Sequence, residues 1–202
     1  IDDPFTSIPP ADRMIIFLRQ HIGTEAKPFI KEGDFVKSGQ KIGDYDVENP
    51  MVVPVHSPVD GTVLEINKLI HPISWKEENA IILETSDQGQ KTLLEPMNPN
   101  EESKEKLLKR IRDAGIVGLG GAAFPTYLKL SQKNDITHLI INNKESDPNI
   151  ACDFRLIKEK PKEIIKGIKI MAKILEAENI IFATRTKETK VPDFETLLKE
   201  ND

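Results

Sequence analysis

Apolar residues in the first part of the chain come in short runs that are separated by polar turns. Met14–Leu18 is a run of five apolar residues, and glycine-containing turns follow at 32–34 and 38–40. Short strands bounded by closely spaced Gly, Asp and Ser residues are typical of all-β units. The pattern therefore predicts an all-β barrel-sandwich over residues 13–87, preceded by a proline-containing arm at 1–12.

The second half of the chain alternates helical and extended patterns. Residues 101–114 place three apolar side chains on one helical face, and the run Ile136–Asn142 is typical of a buried parallel strand. Further helices are predicted at 161–177 and 193–199, with a strand between them at 179–184. Alternating helices and strands predict an α/β sandwich, and we expect this pattern to continue beyond residue 202.

A polar insertion interrupts the apolar pattern of the first half at Ile70–Asn79. It contains Trp75, the only tryptophan of the chain. An aromatic side chain in this setting either covers one end of the barrel or contacts a partner, and the sequence does not choose between the two.

Charge and composition change between the two halves. Residues 1–100 carry a net charge of −7 and residues 101–202 a net charge of +2. We expect a linker at 88–100, with Asn100 capping the helix that follows and Gly115 ending it. Neither half is basic enough to indicate a nucleic-acid partner.

The positions of cysteine, histidine and lysine exclude several kinds of site. Cys152 is the only cysteine, so this chain alone can form neither an intrachain disulfide nor a four-cysteine iron–sulfur cluster. The four histidines, His21 and His56 among them, are scattered, and we expect no metal site. Pro58–Val63 matches the hairpin of biotinyl and lipoyl carrier domains, in which Asp-Gly supplies the tight turn. However, residues 42–67 contain no lysine to accept the group, so a carrier function is not expected.

Four of the eleven glycines lie between Gly115 and Gly121, and a helical pattern begins near Thr126. Residues without bulk let a backbone approach a ligand closely, and N–H groups at such a loop can bind an anion. One interpretation is a cofactor phosphate held by backbone, with Lys129 as a nearby cation; the other is a tight turn between helices. The spacing is neither that of a P-loop nor that of a dinucleotide fingerprint, because Ala123 takes the last glycine position and a helix precedes the loop.

A second candidate segment follows the strand predicted at 136–142, where ligands of α/β sheets gather. Asn142 can donate and accept hydrogen bonds to a ring system. Glu145 and Asp147 point the same way in extended chain and could bind ribose hydroxyls or orient a nicotinamide. The alternative is an acidic turn with local hydrogen bonds.

Four blocks of the sequence, in the same order, resemble the C subunit family of the Rnf electron-transport complex. Gly115–Lys129 resembles that family's AGIVGLGGAGFPTxxKL signature and, more distantly, the flavin loop of the NADH-oxidising subunit of respiratory complex I. Arg19–Pro28 resembles the family's opening block and His56–Val63 its next one. Asn142–Arg155 resembles its NGAECEPYLTADHR block.

The resemblance implies a biotinyl/lipoyl-like barrel-sandwich hybrid followed by a flavin-type α/β domain, and electron transfer from NADH through FMN to iron–sulfur centres. It implies 4Fe-4S clusters in a missing domain or a partner, other subunits as partners, no direct membrane span, and a cytoplasmic place at the inner face of the membrane. No catalytic acid, base or nucleophile is implied. Asp153 and Arg155 also match the family, and we interpret them as a structural ion pair. The FMN-site positions carried over are Gly118, Gly120, Gly121, Ala122, Phe124, Lys129, Asn142 and Glu145, with Asp147 beside the nicotinamide.

Departures from the family pattern support an alternative function. Ala123 stands where relatives have glycine, and its methyl group is expected to crowd the ligand or to exclude a positive φ. Asn143 and Lys144 replace two small residues, and Lys144 adds bulk and charge near the expected flavin. The alternative is a non-catalytic docking or adaptor module that keeps the fold without flavin, so the chain is an enzyme only if the flavin site is intact.

Overall fold

The computed structural model describes residues 4–45, 51–86, 89, 91–119, 121–132, 135–147 and 150–184. Contacts divide the chain into two compact units. Residues 8–130 form one, here called the barrel unit, and residues 1–7 with 131–202 form the other, here called the second unit. No helix of the described residues is both long and apolar enough to cross a bilayer.

The barrel unit is mainly β-structure and ends in two helices. Its strands are β1 (Arg13–Phe17), β2 (Lys27–Pro28), β3 (Phe35–Val36), β4 (Lys41–Asp44), β5 (Val55–His56), β6 (Gly61–Ile70) and β7 (Glu77–Thr85). Its helices are α1 (Lys104–Asp113) and α2 (Thr126–Leu130). The second unit contains β8 (His138–Asn143), α3 (Cys152–Glu159), α4 (Pro161–Leu175) and β9 (Asn179–Thr184).

Two antiparallel sheets enclose the core of the barrel unit. One has the strand order β1-β7-β6-β3 and the other the order β2-β4-β5. Both sheets contribute buried apolar side chains, because alternate residues of a strand point to the same face. The core residues are Ile16, Leu18, Ala26, Val36, Ile42, Val52, Val55, Val63, Ile81 and Leu83. The predicted all-β unit is thus confirmed.

A long hairpin of β6 and β7 forms the centre of the first sheet, and its residue pairs run from Gly61↔Thr85 to Ile70↔Glu77. The insertion at 70–79 is the tip of this hairpin. Gly61 does not form the tight turn expected of Asp-Gly, because β5 and β6 belong to different sheets. Instead, Gly61 permits a close approach of backbones: an added Cβ would lie 2.5 Å from the carbonyl oxygen of Glu84.

Helix α1 delivers the chain into the glycine loop. Its N-cap is Ser103, whose Oγ accepts the N–H of Lys106 at 3.4 Å, so the prediction of Asn100 as the cap is wrong. At the other end, Gly115 adopts φ +69° and donates to the carbonyl of Arg112. Ile116 donates to the carbonyl of Ile111 at 3.3 Å. These two bonds make a Schellman motif, and the prediction that Gly115 ends the helix is confirmed.

The second unit contains a two-stranded parallel sheet, in which His138 pairs with Asn179 and Asn143 with Thr184. The prediction of a parallel strand is confirmed, but the prediction that it is buried is wrong, since Ile140 is 61% exposed. Parallel strands are buried only where helices cover both faces. In the described residues, Phe182 of β9 packs against a small cluster that includes Ile157 and Ile165 of α3 and α4.

Helix α4 and strand β9 match the elements predicted at 161–177 and 179–184. Helix α3 was not predicted, and the helix predicted at 193–199 lies outside the described residues. The contacts divide the chain after Leu130, about forty residues beyond the start of the predicted linker at 88–100. The predicted domain boundaries therefore stay a prediction.

Candidate functional site

The glycine-rich segment is a closed loop whose base is tied by two backbone hydrogen bonds. Gly118 donates to the carbonyl of Phe124 at 2.8 Å, and Thr126 donates to that of Ile116 at 3.1 Å. Val117 and Pro125 form an antiparallel bridge between the two sides. The described residues of the apex, Leu119 and Gly121–Ala123, are thus presented on a fixed base.

Three successive N–H groups at the apex are available to a ligand. Within the described part of the chain, the N–H groups of Gly121, Ala122 and Ala123 donate no hydrogen bond. Gly121 is also open sterically, since a Cβ added there would meet no atom within 4 Å. Uncommitted N–H groups beside a small-residue backbone are suited to bind a phosphate or the polar edge of a ring.

The apex adopts strained backbone at one position. Ala123 has φ +45°, in the left-handed region that favours glycine. The expectation that its methyl group excludes a positive φ is therefore wrong. For a residue with a Cβ this conformation costs about 1–2 kcal/mol, and the hydrogen bonds at the loop base maintain it.

The barrel holds the apex through the segment that follows β1. The N–H of Ile22 donates to the carbonyl of Ala122 at 3.2 Å. His21 fixes this segment in turn: its Nδ1–H donates to the carbonyl of Ile22 at 2.9 Å, and its Nε2 accepts the N–H of Val53 at 3.1 Å. Both ring nitrogens of His21 are therefore committed to structural hydrogen bonds. Burial lowers the pKa of His21, which keeps the ring neutral.

The start of the loop is fastened to the barrel by an ion pair. Arg112 of α1 binds both carboxylate oxygens of Asp44 in β4, with Nη2–Oδ1 at 2.7 Å and Nη1–Oδ2 at 3.2 Å. Burial acts to raise the pKa of Asp44, but hydrogen bonds from Arg112, Tyr45 and Lys41 outweigh it and the net shift is downward. A bidentate arginine fixes direction as well as distance, so the end of α1 has a defined position on the barrel.

His56 packs against the first residue of the loop. A Cβ added to Gly115 would lie 3.2 Å from Nδ1 of His56 and 2.8 Å from the carbonyl oxygen of Pro54. Only glycine therefore fits here, because position 115 has a positive φ and because a Cβ would be too close to its neighbours. Burial, together with the positive charge of Lys41, lowers the pKa of His56. His56 is thus a packing residue beside the loop.

A cavity of about 570 Å³ opens beside the apex of the loop. Its walls combine the loop residues 121–123, the segment Arg19–Ile22 and the hairpin tip His71–Ser74 with the exposed faces of Ile15 and Phe17. Its volume is within the range of small-molecule sites. Sequence reasoning missed this cavity, because its three walls come from segments about fifty residues apart.

Helix α2 is only five residues long, Thr126–Leu130, so the loop does not lead into a helix with a substantial dipole. Any anion binding here must rest on the N–H groups of the loop. Lys129 is exposed in the last turn of α2. It is on the same unit as the loop.

The candidate residues of the second unit follow strand β8. Asn142 is exposed near its end, and Asp147 is exposed in the turn beyond it. Glu145 has a structural role, since one carboxylate oxygen accepts the N–H of Asp153 at 2.6 Å in the first turn of α3. A carboxylate at a helix N-terminus satisfies a free N–H group and complements the dipole. This contact favours the interpretation of an acidic turn for Glu145.

Two further expectations concern the same unit. Arg155 does not pair with Asp153; it binds the Glu159 carboxylate at 2.5 Å, so that prediction is wrong. Possible metal-ligand atoms of Glu145, Cys152 and Asp153 lie within 4.8 Å of one another. Acidic groups around a helix start commonly gather in this way, and the Glu145 carboxylate is already bound to backbone.

Of the nine predicted site residues, the structure brings four together on the loop: Gly118, Gly121, Ala122 and Phe124. Gly120 lies outside the described residues, and Lys129 is on the adjoining helix. Asn142, Glu145 and Asp147 belong to the second unit. A single pocket that joins both groups stays a prediction.

The residues present at the loop fit FMN. The flavin nucleotide carries a phosphate and a ring with polar edges, and the apex offers successive uncommitted N–H groups beside an open glycine. The strained Ala123 does not block this backbone, because its side chain is accommodated in the observed conformation.

Two family models match consecutive parts of the sequence. Residues 2–88 match the RnfC barrel sandwich hybrid domain. Residues 111–201 match the Nuo51 FMN-binding domain. The predicted fold class, a barrel-sandwich followed by a flavin-type domain, is confirmed by these matches.

Similar curated proteins are named as the C subunit of an ion-translocating oxidoreductase complex. The chain is 39% identical over 184 residues to the C subunit of Haemophilus influenzae (strain PittEE). The aligned region is 89% of this chain and 28% of the relative. It is 35% identical over 175 residues to that of Rhodobacter capsulatus, and the aligned region is 85% of this chain and 33% of the relative. It is 36% identical over 184 residues to that of Salmonella gallinarum, and the aligned region is 88% of this chain and 26% of the relative. The chain thus spans about a quarter to a third of these relatives.

Proposed function

The chain belongs to the RnfC family, and from this membership we propose that it binds FMN and takes part in electron transfer from NADH to iron–sulfur centres. The family matches over 2–88 and 111–201 support the electron-transfer role. The observation that carries the FMN assignment is the row of uncommitted N–H groups at Gly121, Ala122 and Ala123, beside an open cavity.

Each loop residue has a distinct role in this proposal. Gly118, Gly120 and Gly121 let the backbone approach the flavin, and the N–H groups of Gly121 and Ala122 donate to its phosphate or ring edge. Phe124, which is 40% exposed, is free to lie beside a ring. Lys129 offsets phosphate charge. Bound FMN would supply the redox chemistry, accepting a hydride and releasing single electrons, while the protein supplies binding and geometry.

The second-unit residues complete the site in the proposal. Asn142 donates to the flavin ring, and Asp147 lies beside the nicotinamide of NADH. The family resemblance implies that Glu145 contacts the flavin. Its hydrogen bond from the N–H of Asp153 gives it a positioning role as well, because it fixes the turn that carries Asp147. Positioning of this kind is what hydride transfer demands of a protein.

We place the chain in a larger assembly. The relatives are named as subunits of an ion-translocating oxidoreductase complex, and this chain spans at most a third of the three relatives described. We propose that other subunits of such a complex are its partners. The 4Fe-4S centres belong to a further domain or to a partner, since the single cysteine cannot hold one. The complex would hold the chain at the inner face of the membrane.

We also keep the domain organisation 1–12, 13–87, 88–100 and 101–202 as a proposal. The family matches, which end at residue 88 and begin again at 111, support the linker. Limited proteolysis should nick 88–100 before either flanking domain. First cleavage within 13–87 would overturn this organisation.

A docking or adaptor function without flavin is the second candidate. The observations that favour it are the hydrogen bond that engages Glu145 and the strained alanine at position 123. In that case the N–H groups of the apex would serve a protein partner instead of a cofactor. The two candidates differ in one directly measurable property, namely flavin affinity.

The test is a titration of FMN followed by flavin fluorescence, performed on the full-length gene product. Gly121→Leu should abolish saturable binding, because the added side chain occupies open space at the apex. Gly167→Leu is the matched control: it also adds a side chain that meets no atom within 4 Å, but in helix α4. It should bind as wild type does.

Lys129→Ala tests the charge contribution separately. Loss of one charge-assisted contact costs about 1.5–3 kcal/mol, roughly a ten- to hundredfold weaker affinity. If the wild-type protein binds no FMN, the electron-transfer proposal falls and the adaptor function takes its place. If all variants bind equally, FMN binds elsewhere.

A further inference from the structure

The turn that joins β6 to β7, residues 71–76, exposes large apolar side chains to which the proposed function gives no role. Ile73 is 82% exposed and Trp75 80%, and Ile70 at the end of β6 is 65% exposed. Ile70 and Trp75 lie outside the lining of the cavity beside the glycine loop. Apolar side chains gathered at one exposed place commonly mark a site of interaction. Residues 68–77 are here called the hairpin end.

The turn is held in one conformation by His71. The N–H of His71 donates to the carbonyl of Lys76, and its carbonyl accepts the N–H of Trp75, both at 2.9 Å. Its ring Nδ1 accepts the N–H groups of Ile73 and Ser74, at 3.2 and 3.3 Å. Because the turn has its own hydrogen-bond network, the exposure of Ile73 and Trp75 is a feature of a fixed structure and not of a loose loop.

The barrel anchors the turn at two points. The ring of His71 packs edge-on against Phe17 of β1, with 4.6 Å between ring centroids. The buried carboxylate of Glu78 accepts the hydroxyl of Ser74 at 2.5 Å and also binds Arg19, just beyond β1. The hydrogen bond from Arg19 lowers the pKa of Glu78, so the carboxylate stays charged. The hairpin end is therefore formed before any partner arrives, and little conformational entropy is lost on binding.

Trp75 occupies an unfavourable backbone conformation. Its φ is +56°, in the left-handed region, which is rare for a bulky residue. Such strain persists only where the surrounding structure fixes it, and it concentrates at functional sites. Packing of the indole on the barrel would offset this strain, but the side chain is 80% exposed. The strained turn thus presents the indole to solvent instead of burying it.

The exposed charges of the hairpin end are predominantly basic. Lys68 of β6 and Lys76 of the turn are exposed, against one exposed acidic residue, Glu77. The neighbouring Glu78 is neutralised by Arg19. Residues 1–100 as a whole carry a net charge of −7, so the hairpin end is a basic place in an acidic part of the chain. Basic and apolar side chains together match the surface of an anionic bilayer.

We infer that the hairpin end docks on an anionic lipid surface. Trp75 and the two exposed isoleucines enter the interfacial layer, and the two lysines contact the headgroups. Tryptophan is enriched at this interface because its ring is apolar and its N–H is polar. A stable protein interface takes about 20–30 residues a side, whereas the hairpin end is ten residues long. The inference goes beyond the proposed function, in which other subunits hold the chain at the membrane, and it does not require flavin.

Sedimentation of the full-length protein with lipid vesicles tests the inference. Vesicles of phosphatidylcholine mixed equally with phosphatidylglycerol should bind the protein, and vesicles of phosphatidylcholine alone should bind it more weakly. Trp75, the only tryptophan of this sequence, reports the place of contact. Brominated acyl chains should quench its emission, measured as the difference from the Trp75→Phe variant. Absence of binding to the mixed vesicles, or binding without quenching of Trp75, would overturn the inference.

Two matched pairs of variants locate the contact. Ile70→Ser should weaken binding to the mixed vesicles about tenfold, because it removes an apolar side chain from the interfacial layer. Its control is Ile8→Ser, since Ile8 is 90% exposed but precedes β1. Lys76→Glu should weaken binding about tenfold at low salt. Its control is Lys37→Glu, because the exposed Lys37 follows β3, which pairs with the start of β6. Equal affinities within either pair would overturn the inference.

A protein partner at the hairpin end would give a different result. In that case the chain would bind only vesicles that contain the membrane subunits of its complex, and Ile70→Ser would weaken that binding. This outcome would overturn the lipid assignment.

The FMN titration, run on the same samples, separates the inference from the proposed function. Ile70→Ser and Lys76→Glu should keep the FMN affinity of the wild type, since neither residue lines the cavity. FMN binding without vesicle binding overturns the inference and leaves the proposed function standing. Vesicle binding without FMN binding supports the inference and removes the flavin function.

Discussion

Isoleucine residues in the core of the barrel unit and isoleucine residues of the parallel sheet in the second unit differ sharply in burial. Ile42 and Ile81 of the barrel unit are 0% exposed, whereas Ile140 and Ile181 of the parallel sheet are 61% and 45% exposed. The barrel unit packs two sheets face to face, so each strand has a covered side. Burial in a strand is therefore a property of what lies opposite, and even in the barrel unit Ile15 of β1 is 55% exposed.

The largest expected effect is a loss of core packing in the barrel unit. Ile81→Ala should lower the free energy of unfolding by about 2–5 kcal/mol, because it removes a fully buried side chain. Ile140→Ala is the same change on the exposed sheet and should cost less than about 1 kcal/mol. Urea unfolding followed by circular dichroism measures both. Equal losses of unfolding free energy in the two variants would contradict the difference in packing between Ile81 and Ile140.

A smaller loss is expected from the ion pair that fastens the glycine loop to the barrel. Arg112→Ala should cost about 1–3 kcal/mol, since it leaves the largely buried Asp44 without its bidentate partner. Lys109→Ala removes the exposed pair with Asp113 on the same helix and should cost at most about 1 kcal/mol. The urea midpoints decide the question: if Lys109→Ala costs as much as Arg112→Ala, the loop is not fastened through Asp44.

Acidification should weaken the barrel unit through His21. Burial lowers the folded-state pKa of His21 below the ordinary value of 6.5, so the unfolded chain binds the proton more readily. The stability contribution is complete above 6.5 and is lost as the pH falls from there towards the lowered pKa. His56 shifts in the same direction and adds to the loss.

The measurement is the thermal midpoint of unfolding on both sides of pH 6.5. His21→Gln should show a smaller fall on acidification than the wild type. His138→Gln is the control, because His138 is an exposed residue of the second unit and its replacement should leave the fall unchanged. A wild-type midpoint that rises on acidification would contradict the assignment of a neutral His21.

The smallest effect concerns the strained apex of the loop. Ala123→Gly should stabilise the chain by up to about 1 kcal/mol, because glycine adopts the observed φ of +45° without strain. Ala122→Gly, one residue earlier and without a positive φ, should instead lose about 0.5–1 kcal/mol through the entropy of the unfolded chain. Changes of the same sign in both variants would show that the strain is not at Ala123.

The apolar periodicity predicted those helices and strands that are specified by their own stretch of sequence. Strand β9 was predicted with its observed bounds, and helix α4 was predicted to within two residues, because the apolar spacing and Pro161 at its start specify it. Helix α3 was missed since its start is capped by Glu145, eight residues before the N–H that it binds. A cap this distant leaves no signature at the helix start.

The candidate site was predictable only in part. Clustered glycines and small residues pointed to the loop, and its available N–H groups agree with that function. The left-handed Ala123 could not be foreseen, because its φ is imposed by hydrogen bonds at the loop base rather than by its own preference. Nor could the cavity beside the loop, since Arg19, His71 and Ala122 are about fifty residues apart in sequence and meet only in the folded barrel unit.

The most direct test of the account is anaerobic reduction of the FMN-loaded, full-length protein by NADH, followed through the absorbance of bound flavin. NADH should bleach the flavin of the wild type, whereas Gly121→Leu protein should carry no flavin to bleach. The Gly167→Leu control should behave as wild type. A protein that binds FMN at the loop but whose flavin NADH leaves oxidised would contradict the proposed electron path from NADH.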